Sequence, residues 1–155
     1  MTPTQSDSVT ILVVDDDAGH CELIRRNLRR AAMRNVVSVV HSGEEALDYV
    51  HRRGGFATQE NGERLLMLLD INMSGAVNGL DVLRQMKTGP LTRSVPVIML
   101  TSTDNPREMI ACYELGCNVY VTKPVDSQMF IDAIRRIGLL IDIVSVAPFP
   151  PGPPA

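Results

Sequence analysis

The chain has 155 residues, 45% of them apolar and 21% charged, which suits one globular domain with a real buried core. A formal net charge of −3 argues against a nucleic-acid binder that works through a basic face. The longest apolar stretch, Ile137 to Phe149, is broken by Gly138, Asp142, Ser145 and Pro148, so no membrane span of roughly 20 residues is expected. Met1 to Thr10 is polar, with neither a basic nor an apolar leader segment, and a cytoplasmic protein is expected. Cys21, Cys112 and Cys117 have no zinc-like spacing and are read as reduced, mostly buried thiols.

Ile11 to Val14 forms a first apolar run, ending at Asp15-Asp16-Asp17. Ala18 to Arg30 then places Cys21, Ile24 and Leu28 on one helical face, and Arg25, Arg26, Arg29 and Arg30 read as a solvated one. Val36 to Val40 is a β-branched second strand. Ser42, three residues before Glu45, has the capping-box pattern and opens a helix through Ala46, Leu47 and Val50. Gly54 to Arg64 is a polar loop, long for its place between a helix and a strand.

Leu65 to Leu69 is a third apolar run, ending at Asp70. A loop through Ser74, Gly75 and Asn78 leads to a helix with Leu80, Leu83 and Met86 on one side, stopped by Gly89-Pro90. Val97 to Leu100 runs into Thr101. Pro106 fits the first turn of the next helix and Gly116 its end. Val119 to Thr122 runs into Lys123-Pro124, and Asp126 or Ser127 caps a last helix carrying Phe130, Ile131, Ile134 and Ile137.

Five short runs alternating with helices predict an α/β fold: a doubly wound, five-stranded parallel sheet in flavodoxin-like order 2-1-3-4-5. Sites in such sheets lie at the carboxyl ends of the strands. That order puts Asp15, Asp16 and Asp70 within a few ångströms of one another, with Thr101 and Lys123 on the same edge. Clustered carboxylates repel unless a hard cation resides among them or one is protonated, and Mg2+ typically uses one or two carboxylates plus phosphate oxygens. A carboxylate can also act as nucleophile toward a phosphoryl group, where catalysis is chiefly positioning and charge neutralisation. Asp17 alone reads as a helix cap.

Val13-Val14-Asp15-Asp16-Asp17, Leu69-Asp70-Ile71-Asn72-Met73, Pro96 to Thr101 and Tyr120-Val121-Thr122-Lys123-Pro124 resemble the receiver domain of bacterial response regulators over residues 9 to 138. The resemblance implies that Asp70 accepts a phosphoryl group from a sensor histidine kinase. Asp15, Asp16 and Asp70 would hold Mg2+ or Mn2+, with the backbone carbonyl of Asn72 as a further ligand. Lys123 would contact the phosphoryl group, with a cis peptide before Pro124. Thr101 and Tyr120 occupy the switch positions, while Asn72 and Thr103 match those that tune hydrolysis. The chain departs from the pattern at Ser74, where a proline usually stands, and its loop to Gly79 is one residue longer than the commonest spacing.

Residues 1–8 read as a flexible N-terminus and 139–155 as an apolar, then Pro-rich extension; with no output module following, a stand-alone receiver is expected. Leu139 to Phe149 is too apolar for an ordinary disordered tail and is expected to form a homodimer contact together with the last helix, or to fold back on its own domain. The long loop before the third strand, the Tyr120-to-Asp126 segment and this tail are similar to single-domain regulators paired with bacterial phytochromes. A regulatory phosphoacceptor, not an enzyme, is therefore expected. The alternatives are an inactive receiver serving as a scaffold, an aspartyl-phosphate phosphatase, or a flavin module. The phosphatase needs a second Asp where Asn72 stands, and Asp15 to Asp17 would repel the phosphate of a flavin.

Overall fold

The computed structural model describes residues 9–31, 36–56, 64–101 and 105–122, and further on 128–129, 131–132 and 135–136. Its elements alternate along the chain: β1 (Val9–Val14), α1 (Ala18–Ala31), β2 (Val36–Val40), α2 (Gly43–Val50), β3 (Arg64–Leu69), α3 (Gly79–Thr88), β4 (Val97–Thr101), α4 (Pro106–Leu115) and β5 (Val119–Thr122). A short 3-10 turn at Gly54–Phe56 opens the long connection into β3. The strands form one parallel sheet in the order β2-β1-β3-β4-β5, as the alternating pattern predicts.

Both faces of the sheet are covered, which is why its strands read as unbroken apolar runs. On one face Ile11, Val13, Leu66, Leu68, Ile98 and Leu100 pack with Cys21, Ile24 and Leu28 of α1. On the other, Leu12, Val14, Met67, Leu69, Val97 and Met99 meet residues of α2, α3 and α4. Full burial of one such side chain contributes about 1.5–3 kcal/mol. In α3 the fully buried residues are Val82, Leu83 and Met86, while Leu80 is only half-buried, so the apolar stripe is turned toward Val82.

Helix ends follow local chemistry. Asp17 accepts the His20 amide at 3.0 Å, the capping role expected of it. Ser42 accepts the Glu45 amide at 3.1 Å, but the Glu45 carboxylate faces the Ser42 hydroxyl at 3.5 Å, so the box is one-sided. A complete, reciprocal box forms instead at Asn78 and Asp81, at the start of α3. Pro106 occupies the first turn of α4, and Gly116 closes that helix with φ +105°. Helical backbone recurs at 128–129, 131–132 and 135–136, where Gln128 donates to Asp132 at 3.2 Å across one turn. The caps expected at Asp126 or Ser127, and the tail 139–155, lie outside the described residues.

Gly79 sets the distance between α3 and the end of β3. A Cβ there would collide with the Asp70 carbonyl oxygen and stand 2.6 Å from the Ile71 Cα. Both obstacles are backbone, so neither can swing aside. Gly79→Ala is expected to destabilise the protein by about 3 kcal/mol, read as a lowered midpoint in urea; an unchanged midpoint would show that the two segments separate freely.

The three cysteines are free and buried, as their spacing suggested. Burial, reinforced by Cys117 and then Glu108, pushes the Cys112 thiol up to about 11. At pH 8, three units lower, only about one thiol in a thousand is ionised. Alkylation of Cys112 in the folded protein should therefore be slow at pH 8 and quicken about tenfold per pH unit. Peptide mapping after timed iodoacetamide exposure reads this directly, and rapid labelling at pH 8 would contradict it.

Candidate functional site

The register of the sheet builds the site. Val14 pairs with Leu69 across β1 and β3, and with Val40 across β1 and β2. The ladder runs one residue further on each side: Asp70 N–H donates to Val14 O at 2.9 Å, and Asp15 N–H to Val40 O at 3.2 Å. Asp15 and Asp70 are thereby side by side just past the strand ends, both buried, while Asp16 is exposed beside them. One carboxylate oxygen from each of the three lies within 4.8 Å of the others.

Each buried acid is oriented by the backbone just after it. The Asp15 Oδ1 accepts the Asp17 amide at 2.9 Å, and the Asp70 Oδ1 accepts the Asn72 amide at 3.1 Å. Beneath Asp15, its carbonyl oxygen receives the Cys21 thiol at 3.1 Å and faces His41 Nδ1 at 3.2 Å. His20 Nδ1 stands 3.7 Å from Asp15 Oδ2 on the solvent side. Neither histidine is flagged by a motif; His41 is found only by noticing that it directly follows β2, the strand next to β1.

Asp16 is held differently. Its Oδ2 accepts both the backbone N–H of Ser74, at 2.9 Å, and the Ser74 hydroxyl, at 3.0 Å. The Ser74 amide is the main influence holding the Asp16 carboxyl below the usual aspartate value; partial burial and Asp17 oppose it. Ser74, at the sequence level only a departure from a pattern, is thus part of the pocket.

Thr101 ends β4 and is fully buried, its Oγ1 accepting Asn72 Nδ2 at 3.2 Å. Asn72 therefore joins the acidic pair to the neighbouring strand through its side chain as well as its backbone. Tyr120 lies on β5 opposite Met99, 9% exposed and packed in the core, with its N–H donated to the Tyr113 hydroxyl at 3.2 Å. Lys123 and Thr103, with the peptide before Pro124, lie outside the described residues; Thr122, just before Lys123, pairs with Thr101 on the site's edge.

Three hard oxygen ligands of like charge suit a divalent cation that prefers oxygen, Mg2+ or Mn2+, and offer nothing to a soft metal. Two full negative charges within 4.8 Å repel by about 3 kcal/mol at an effective dielectric of about 20. A divalent ion reverses that sign, so the residues present fit the group.

The response regulator receiver domain family matches residues 11–135. Response regulator Rcp1 of Synechocystis is 32% identical over 114 residues, 73% of this chain and 75% of that protein. The crystal structure of its Mn2+-bound form aligns with TM-score 0.81 and 25% identity, covering 89% of this chain and 98% of that one. A receiver domain from Rhodospirillum rubrum aligns with TM-score 0.81 and 41% identity over 92% of this chain and 99% of its own. The bacteriophytochrome response regulator RtBRR aligns with TM-score 0.69 and 41% identity over 92% and 84%. With the fold, the acid triplet and these likenesses in agreement, the chain belongs to the response regulator receiver family, as a receiver like those paired with phytochromes.

Proposed function

We propose that this receiver accepts a phosphoryl group on Asp70 from a sensor histidine kinase, in a reaction that requires Mg2+ or Mn2+. The register that seats Asp70 against Asp15, with Thr101 ending the next strand, is the observation that carries this reading. An Asp70 carboxylate oxygen attacks phosphorus as the bond to the donor nitrogen breaks, leaving an acyl phosphate and a neutral imidazole. Asp15, Asp16, Asp70 and the Asn72 carbonyl would hold the cation, which would supply neutralising charge to the phosphoryl oxygens. Lys123 offsets a further charge. The Thr101 hydroxyl turns to donate to the phosphoryl group, and Tyr120 follows it as the second switch residue. Asn72 and Thr103, neither acidic nor basic, tune the return of water to the acyl phosphate.

Asn72 also weighs against a phosphatase: its position would need a second carboxylate as acid and base, and its amide cannot serve. The protein is a regulatory phosphoacceptor on this reading, cytoplasmic, with a bacteriophytochrome as the kinase. An inactive scaffold is disfavoured by the intact triplet, since such clustered charge is costly to keep without a cation.

The same reading assigns residues 1–8 to a flexible start, 9–138 to the receiver and 139–155 to an extension that, with the last helix, joins two copies in a symmetric dimer. Met129, on the helical stretch before the extension, is exposed and would be covered by such a contact. Light scattering should give a dimer for the full chain and a monomer for one stopped at Gly138; two monomers would end the dimer reading.

Incubation with acetyl phosphate and Mg2+ should add the mass of one phosphoryl group to the intact protein. Asp70→Ala should abolish the addition, and Asp16→Ala should slow it by about tenfold or more through weakened cation binding. An unmodified wild-type protein, or full modification of the Asp70 variant, would refute the assignment.

A further inference from the structure

We infer that Ser74 is a positioning residue for the metal site, fixing Asp16 in the orientation in which it takes the cation. The inference rests on the reading above that Asp16 is a metal ligand.

Asp15 and Asp70 are buried and each is oriented by an amide two residues further on. Asp16 stands exposed, where a carboxylate turns more freely about its side-chain bonds, and its own backbone amide bears on it less than Ser74 does. Its main restraint comes from 58 residues away: two donors of Ser74 converge on the single oxygen Oδ2. Two hydrogen bonds saturate the in-plane lone pairs of that oxygen and leave Oδ1 for the cation or a water bound to it. Donors to a charged acceptor are the stronger kind, and their geometry sets the plane of the whole carboxylate. Outer partners of this kind commonly change metal affinity by about 10–100-fold when removed.

The bonds also tie the pocket to the loop. Ser74 follows Met73, buried in the core, and precedes Gly75, which turns the chain at φ +113°. A few residues on, Val77 lies against Gly43 at the start of α2, where an added Cβ would stand 2.5 Å from the Val77 carbonyl oxygen. The donors are thus presented from a segment anchored on both sides. Proline at this position would supply neither, having no amide hydrogen and no hydroxyl.

The test is Mn2+ binding to the full chain, followed by electron paramagnetic resonance, with Mg2+ affinity obtained by competition. Ser74→Ala keeps the amide and should weaken both cations by about tenfold; Ser74→Pro should weaken them by up to about 100-fold. Ser74→Thr retains both donors and should bind within about twofold of wild type. Melting temperatures of the metal-free Ala and Thr variants should match wild type, separating positioning from folding. Equal or tighter binding by folded Ser74→Ala overturns the inference, even where Ser74→Pro fails to fold. A wild-type protein that binds neither cation overturns the metal-site reading and this role with it.

Discussion

The site depends on the parallel pairing of β1 with β3, carried one residue past the strands by the bond from the Asp70 amide to the Val14 carbonyl. That pairing forces two buried carboxylates together against their repulsion. Apolar side chains on both faces of the strands hold it, since a slip of one residue would move every one of them to the opposite face. The charge cluster is thus sustained by a core that itself contains almost no charge. Such a pocket has a strong intrinsic demand for a cation.

Around that pairing, the segments after the strands act as fixed supports. Gly79 lets α3 press on the backbone of Asp70 and Ile71, so the peptide of Asp70 is itself part of a packed contact. The complete capping box at Asn78 and Asp81 anchors the same helix at its start. Asn72 spans from the Asp70 carboxylate, through its backbone N–H, to the Thr101 hydroxyl, through its side chain, linking two neighbouring strand ends by one residue.

The likeness to Rcp1, to the Rhodospirillum rubrum receiver and to RtBRR spans most of this chain. Ser74 stands apart from the residues that carry the family resemblance. Its hydroxyl and amide converge on one oxygen of Asp16, holding the exposed acid of the triplet through loop chemistry.

What the amino-acid sequence determined by itself is the alternation of elements and the identity of the acids at the strand ends, the strand order being that of the flavodoxin-like pattern the alternation matches. These follow from short-range physics: unbroken apolar runs where both faces are buried, helical spacing at Cys21, Ile24 and Leu28, Pro106 at a helix start and Gly116 at its close. Asp17 as a cap was equally legible, because its partner amide is three residues away. Ser42 caps its helix but its box is one-sided, and the Asn78–Asp81 box was missed because Asn and Asp stand where the usual pattern has Ser or Thr and Glu or Gln. Only the tertiary structure decided that Ser74 grips Asp16, that Gly79 lies against the Asp70 backbone, that Asn72 reaches Thr101 and that Tyr120 packs in the core. Each of these joins residues on separate elements at contact distance. No periodicity or local spacing encodes such a meeting; it exists only once the strands have paired and the helices have settled on them.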